Sequence, residues 1–99
     1  MAFEAMFQPI QIGKLTIRNR VLSTAHAEVY ATDGGMTTDR YVKYYEEKAK
    51  GGIGLAICGG SSSVAIDSPQ GWWKSVNLAT DKIIPHFQNL ADAMHKHGA

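Results

Sequence analysis

The run Gly51-Gly-Ile-Gly-Leu-Ala-Ile-Cys58 constrains the fold of this chain more than any other segment. Ile53 to Cys58 contains no polar side chain and follows directly on a double glycine. A strand without polar alternation is buried on both faces, which is the habit of parallel sheets inside α/β folds. Just before it, Asp39 to Lys50 reads as a helix. Thr37 or Thr38 offers the N-cap, and Asp39 stands in the first turn, where the helix dipole favours negative charge. Tyr41, Tyr45 and Ala49 share one face, with Val42 and Tyr44 on its borders. Asp39/Lys43 and Glu46/Lys50 are i,i+4 pairs in the favourable order, each worth about 0.2–0.5 kcal/mol. Lys48 and Lys50 suit the C-terminal end, and Gly51-Gly52 closes it.

The flanking segments extend the same alternation of strand and helix. Ile10 and Ile12, then Leu15 and Ile17, sit at period two around Gly13 and predict a short hairpin. Arg20 to Ala25 is long enough for one buried strand, and Asp33-Gly34-Gly35 is a turn signal. Gly59 to Asp81 reads as a long irregular stretch, a length that is uncommon unless it carries function. Pro85 suits a first helical turn, Phe87, Leu90, Ala91 and Met94 recur at helical spacing, and Gly98 supplies the cap. The order is hairpin, then β-loop-α-β-loop-α, with parallel pairing through crossovers. Two parallel strands expose both edges, and two helices cannot cover both faces of a sheet. The expectation is therefore the first part of a larger α/β domain, with a third strand to follow.

Composition narrows the function classes. Ninety-nine residues make one domain at most, and a formal charge of +1 gives no basic surface for nucleic-acid phosphates. The longest uncharged stretch, Gly51 to Ile66, is rich in Gly and Ser and too short to span a bilayer. Met1-Ala-Phe-Glu lacks the features of a signal peptide, and Cys58, the one cysteine, has no partner for an internal disulfide. The expectation is a cytoplasmic protein with a small-molecule substrate and neither nucleic acid nor membrane as partner.

In βα-repeat folds the active face lies at the C-terminal ends of the strands. Ser23-Thr24-Ala25-His26-Ala27 and Gly59-Gly60-Ser61-Ser62-Ser63 occupy those ends. Small side chains let a flat ligand approach backbone N–H groups, and the second segment adds hydroxyl donors. Together they read as a floor for a planar or phosphate-bearing cofactor, although strand ends also need small residues simply to turn. His26 stands at this face, where a lone histidine is more often a satisfied structural residue. His86, His95 and His97 fall on the last helix without metal-ligand spacing. Cys58, inside an apolar strand, reads as a small buried hydrophobe. Gly51, Gly52 and Gly54 close a helix and open a strand, the reverse of a dinucleotide fingerprint. Adjacent Trp72 and Trp73 read as loop anchors held by burial.

Four segments in this order resemble the N-terminal quarter of the old yellow enzyme family of flavin oxidoreductases. They are Phe7-Gln-Pro-Ile-Gln-Ile-Gly-Lys-Leu-Thr-Ile-Arg-Asn-Arg-Val21, Asp33-Gly-Gly-Met-Thr-Thr-Asp-Arg-Tyr41, Tyr44-Tyr-Glu-Glu-Lys-Ala-Lys-Gly-Gly-Ile-Gly-Leu55, and Ile84-Pro85 with Ala93-Met-His-Lys-His-Gly-Ala99. The likeness is to the branch of 2,4-dienoyl-CoA reductase, trimethylamine dehydrogenase and the demethylases of dimethylglycine or N-methylproline. It implies a TIM (β/α)8 barrel with FMN at its C-terminal mouth, of which residues 1–99 supply about two βα units of eight behind a hairpin that plugs the barrel floor.

Carried over by position, Thr24, Ala25, His26 and Ala27 match the strand tip that lies along the flavin ring, and Gly60 matches the second strand's contact with it. Ala27 stands where trimethylamine dehydrogenase has the cysteine that bonds its flavin, so the resemblance implies non-covalent FMN here. The family's substrate-binding pair, proton-donating tyrosine and phosphate-binding arginine match no position in residues 1–99, so no catalytic residue is assigned. Longer members add a 4Fe-4S cluster and NAD(P) or FAD sites, and the family offers homo-oligomers and electron-transfer partners.

The implied activity is hydride transfer through flavin N5. The expected reaction is oxidative demethylation of a small N-methylated amine such as dimethylglycine, with the 99-residue segment alone inactive. The alternatives are an NAD(P)H-dependent enone or 2,4-dienoyl-CoA reductase, a non-catalytic βαβα module that self-associates through its open edges, and a phosphate-binding barrel without flavin.

Overall fold

The computed structural model describes residues 2–68 and 73–99, so Trp72 lies outside the described residues. The expected hairpin forms on the expected residues: β1 (Ile10–Ile12) pairs antiparallel with β2 (Leu15–Ile17), Ile12 opposite Leu15. Gly13 turns the corner at φ +60°, a left-handed conformation that glycine adopts without steric cost. Ile10, Ile17, Val21, Leu22 and Leu55 line a small apolar cavity of about 100 Å³ between the hairpin and the sheet that follows.

That sheet is parallel, with β3 (Leu22–Ser23) beside β4 (Leu55–Ala56). The regular ladder is shorter than the expected strands, Arg20 to Ala25 and Ile53 to Cys58. The two segments nevertheless travel together over most of that length. Gly54 N–H donates to Val21 O at 2.9 Å, Ile57 N–H to Ser23 O at 2.9 Å, and His26 N–H to Gly59 O at 2.7 Å. Burial on both faces does not hold, since Leu22 is 50% and Ile57 47% exposed. A two-stranded ladder leaves each strand one open edge, and burial of both faces needs further neighbours.

Helix α1 (Asp39–Lys50) joins the two strands. Thr38 Oγ1 caps it by accepting from Tyr41 N–H at 3.1 Å, and it donates in turn to Tyr30 O. Tyr41, Tyr45 and Ala49 are its buried residues, the face that the spacing predicts. Helix α2 (Ile84–His95) has Pro85 in its first turn and buries Leu90 and Met94. Beyond it, Gly98 at φ +87° lets its own N–H reach His95 O and Ala99 N–H reach Met94 O, closing the end as a Schellman pair. The core gathers Ala31, Tyr41, Tyr45, Ala49, Val76, Ile83, Leu90 and Met94. Between β4 and α2 an apolar cavity of about 340 Å³ remains, lined by residues that include Leu55, Cys58, Phe87 and Met94.

Arg18 ties these elements together, a role its sequence position does not announce. Its guanidinium donates to Ala49 O at 2.9 Å in the last turn of α1, to Ile53 O at 2.8 Å on the approach to β4, and to His97 O just past α2. A planar cation with several donors can serve several carbonyls at once. Asn19 beside it is buried, donating to Gly52 O and accepting from Val21 N–H. Trp73 departs from the burial expected of it: it is 68% exposed, and the Lys74 ammonium lies 4.4 Å from its ring centroid. The exposed ring makes a cation–π contact in place of a core contact. Among the described residues no helix is long and apolar enough to cross a membrane.

Candidate active site at the strand tips

Past Ser23 and Ala56 the chain leaves the regular ladder, and the two tips converge. His26 N–H donates to Gly59 O, and Gly60 crosses directly over the His26–Ala27 peptide. A Cβ on Gly60 would lie 2.4 Å from His26 C and 2.8 Å from Ala27 N. No side chain fits there, so Gly60 is required for the two tips to meet. Strain collects at the same place, for Val29 and Ser61 take φ values of +53° and +58°.

The tip of β3 divides its side chains between two directions. His26 and Glu28 turn into α1, whereas Thr24, Ala25 and Ala27 stay exposed. Consecutive tyrosines of α1 receive them. Tyr44 Oη lies 2.6 Å from His26 Nε2, and the Tyr45 hydroxyl donates to Glu28 Oε2 at 2.7 Å. His26 Nδ1 is 2.9 Å from Thr24 O, so both ring nitrogens are engaged. Lys48, one turn further along α1, donates to Ser23 Oγ at 2.8 Å and lies 4.8 Å from the Tyr44 ring centroid. Sequence reasoning places Tyr45 on the buried face but gives no sign that Tyr44, Tyr45, Glu28 and Lys48 build the tip. Only the adjacency of the tyrosines hints at it.

Burial and the Glu28 charge raise the pKa of three acidic groups behind the tip, Tyr45, Tyr41 and Cys58. Burial, then the bond to Glu28 and its charge, push the Tyr45 phenol well up, so it remains a donor. Burial does the same for Tyr41. The Cys58 thiol is pushed up to about 11, first by burial and then by the Glu28 charge, against a smaller opposing pull from Lys48. It therefore stays a thiol at neutral pH, the inert small side chain that its apolar strand predicts. Among the described residues no group of His, Cys, Asp and Glu could hold a metal ion.

The exposed surface of the tips is built of Thr24, Ala25, Ala27 and the Gly60 backbone. Among the described residues no protein acceptor meets the N–H groups of Ala25, Ala27 or Gly60. A low floor with free donors at the C-terminal ends of parallel strands has the shape and the polar groups that a flat heterocycle needs. The five residues singled out from sequence are thus brought together, but not in one role. Ala25 and Ala27 are exposed on the floor, Thr24 is exposed beside them, His26 faces the helix, and Gly60 joins the tips.

Comparison with known proteins identifies the family and the fold. The sequence model of the NADH:flavin oxidoreductase / NADH oxidase family matches residues 5–99, and the chain belongs to that family. It is 82% identical over 98 residues to an N,N-dimethylglycine/sarcosine dehydrogenase of Chromohalobacter salexigens, covering 99% of this chain. It is 41% identical over 96 residues, 97% of this chain, to a multifunctional alkene reductase/demethylase of Caballeronia cordobensis. The chain spans only 14% of the length of each of these two relatives. Among solved structures, the old yellow enzyme of Trypanosoma cruzi superposes with a TM-score of 0.86 at 28% identity, covering 100% of this chain and 26% of that one. Histamine dehydrogenase from Rhizobium sp. 4-9 gives the same TM-score at 23% identity, a likeness of fold alone, over 100% of this chain and 14% of that one. The fold is the N-terminal part of a TIM (β/α)8 barrel, two βα units behind a hairpin.

Proposed function

We propose that residues 1–99 form the N-terminal part of a single FMN-binding barrel domain in an oxidative demethylase of small N-methylated amines, with dimethylglycine as the leading substrate. The observation that carries this is the 82% identity to a dimethylglycine/sarcosine dehydrogenase across 99% of the chain. When bound, FMN would supply the two-electron redox chemistry, and Thr24, Ala25, Ala27 and Gly60 would hold its ring.

The chain's own residues shape and level the floor. Ala25 and Ala27 keep the floor low, and their N–H groups with that of Gly60 are the donors for the ring's polar edge. Ala27 carries no nucleophile, so the flavin is held without a covalent bond at this position. Gly60 and the His26–Gly59 bond keep the two tips at one height, so the ring rests on a single plane. The substrate-binding and proton-transferring groups belong to parts of the barrel other than residues 1–99. Any 4Fe-4S cluster, NAD(P) or FAD site, electron-transfer partner or oligomer contact belongs to the longer protein as well.

The test uses the full-length protein. FMN released on denaturation, and bleaching of the bound flavin on anaerobic addition of dimethylglycine, support the proposal. A purified protein without flavin overturns it. The 41% identity to an alkene reductase/demethylase favours a second reading. Bleaching by NAD(P)H alone, with colour restored by an enone or an enoyl thioester, would select that reading.

A further inference from the structure

We propose that Tyr44 is a positioning residue for the flavin, its hydroxyl holding His26 against α1 and thereby fixing the β3 tip under the cofactor. The proposal rests on the FMN-binding reading above and adds to it the group that orients the floor.

The hydrogen-bond directions follow from the partners. Thr24 O, 2.9 Å from His26 Nδ1, only accepts, so Nδ1 carries the hydrogen. In the uncharged ring Nε2 is then an acceptor, and the Tyr44 hydroxyl at 2.6 Å donates to it. The imidazole is thus clasped between its own strand and the helix. The phenol is itself held, edge-on to Tyr30 at 5.6 Å and to Tyr45 at 5.3 Å between centroids, with Lys48 over its face. Meanwhile the His26 amide is committed to Gly59 O. Side chain and main chain of one residue therefore join β3, β4 and α1. Side chains alternate along an extended segment, so turning His26 inward turns Ala25 and Ala27 outward. Loss of the Tyr44 hydroxyl would free the imidazole to swing and the tip to tilt, while a phenylalanine ring keeps every aromatic contact.

The experiment compares the full-length flavoprotein with Tyr44→Phe, His26→Gln and the double variant, reading FMN dissociation by recovered fluorescence and the visible band of bound flavin. Tyr44→Phe is expected to loosen FMN about five- to tenfold and to shift the band, the order of effect of one hydrogen bond. In the His26→Gln background the same change should add less than about twofold. An undiminished effect there would show that Tyr44 acts by packing and would overturn the proposal, as would unchanged dissociation and spectrum in the single variant. Should Tyr44→Phe not fold, the 15N spectrum of the wild-type His26 imidazole decides, assigned by its loss in His26→Gln. A hydrogen on Nδ1 supports the clasp, and one on Nε2 alone refutes it. Wild type that folds but holds no FMN removes the functional reading, and this proposal with it, whatever the variants do.

Discussion

Gly60→Ala is the substitution that tests most directly whether the two strand tips form one surface. The new Cβ would meet backbone on both sides, 2.4 Å from His26 C, 2.7 Å from His26 O and 2.8 Å from Ala27 N. None of these is the far end of a flexible side chain, so relief requires the tips to separate. Gly60 also takes φ +145°, a region where an L side chain costs about 1–3 kcal/mol, and overpacking adds about 1–3 kcal/mol more. The expected loss is therefore about 2–6 kcal/mol, enough to unfold a marginal domain or to displace the β4 tip. The neighbouring Gly59→Ala is the control. It also has a positive φ, +90°, but its Cβ would meet the Ser62 hydroxyl at 2.8 Å, a short side chain that can rotate away. Chemical denaturation and FMN content of the full-length protein measure both. Gly60→Ala should lower the midpoint and lose flavin, and Gly59→Ala should cost about 1–2 kcal/mol and keep most of it. Equal, mild effects at both positions would refute the argument that the tips touch at Gly60.

Arg18→Ala should destabilise by about 2–4 kcal/mol, because three carbonyls lose a charged donor, and Arg18→Lys should recover little, since an ammonium lacks the planar fork; denaturant midpoints check both. Thr38→Ala removes the acceptor for Tyr41 N–H and should cost about 1 kcal/mol in the same assay. For Cys58 the folded thiol titrates at about 11 against an ordinary 9.0, so the folded state binds the proton more tightly. Its contribution to stability is complete below pH 9 and is lost as pH rises towards 11. Cys58→Ser should flatten that part of the stability–pH curve, and iodoacetamide should label the native thiol far more slowly than the unfolded one at pH 8–9.

Much of the frame is legible in the sequence because local rules decide it. Period-two isoleucines fix the hairpin, the Thr38 cap and the 41/45/49 face fix α1, and Gly98 ends α2 as its position predicts. The apolar run at Ile53–Cys58 correctly announces a parallel strand, but its double-sided burial does not appear, because burial depends on neighbours and not on the run itself. Arg18 escapes a sequence reading for a related reason. Its partners lie 31, 35 and 79 residues away, and they are backbone carbonyls, which leave no mark on side-chain pattern. Trp73 fails differently: a large apolar ring reads as core, yet it lies exposed against an adjacent lysine.

The site itself is legible only in its outward half. Small residues at Ala25, Ala27 and Gly60 speak for a close approach, and a reader of the sequence can find them. The inward half, His26 and Glu28 on Tyr44 and Tyr45, is invisible because each pair spans 17 or 18 residues and joins a strand tip to a helix. Yet the two halves are mechanically one object. An alanine floor has no side chain with which to hold itself in place, so its orientation must come from the residues that follow each alanine. Those are half-buried His26 and buried Glu28, polar groups that leave water only where a partner meets them. The helix supplies the donors from adjacent positions, and the strand's alternation converts that anchoring into the exposure of Ala25 and Ala27. On the proposed function, substitutions of the tyrosine hydroxyls should therefore be read at the flavin, although neither hydroxyl belongs to the floor proposed for it.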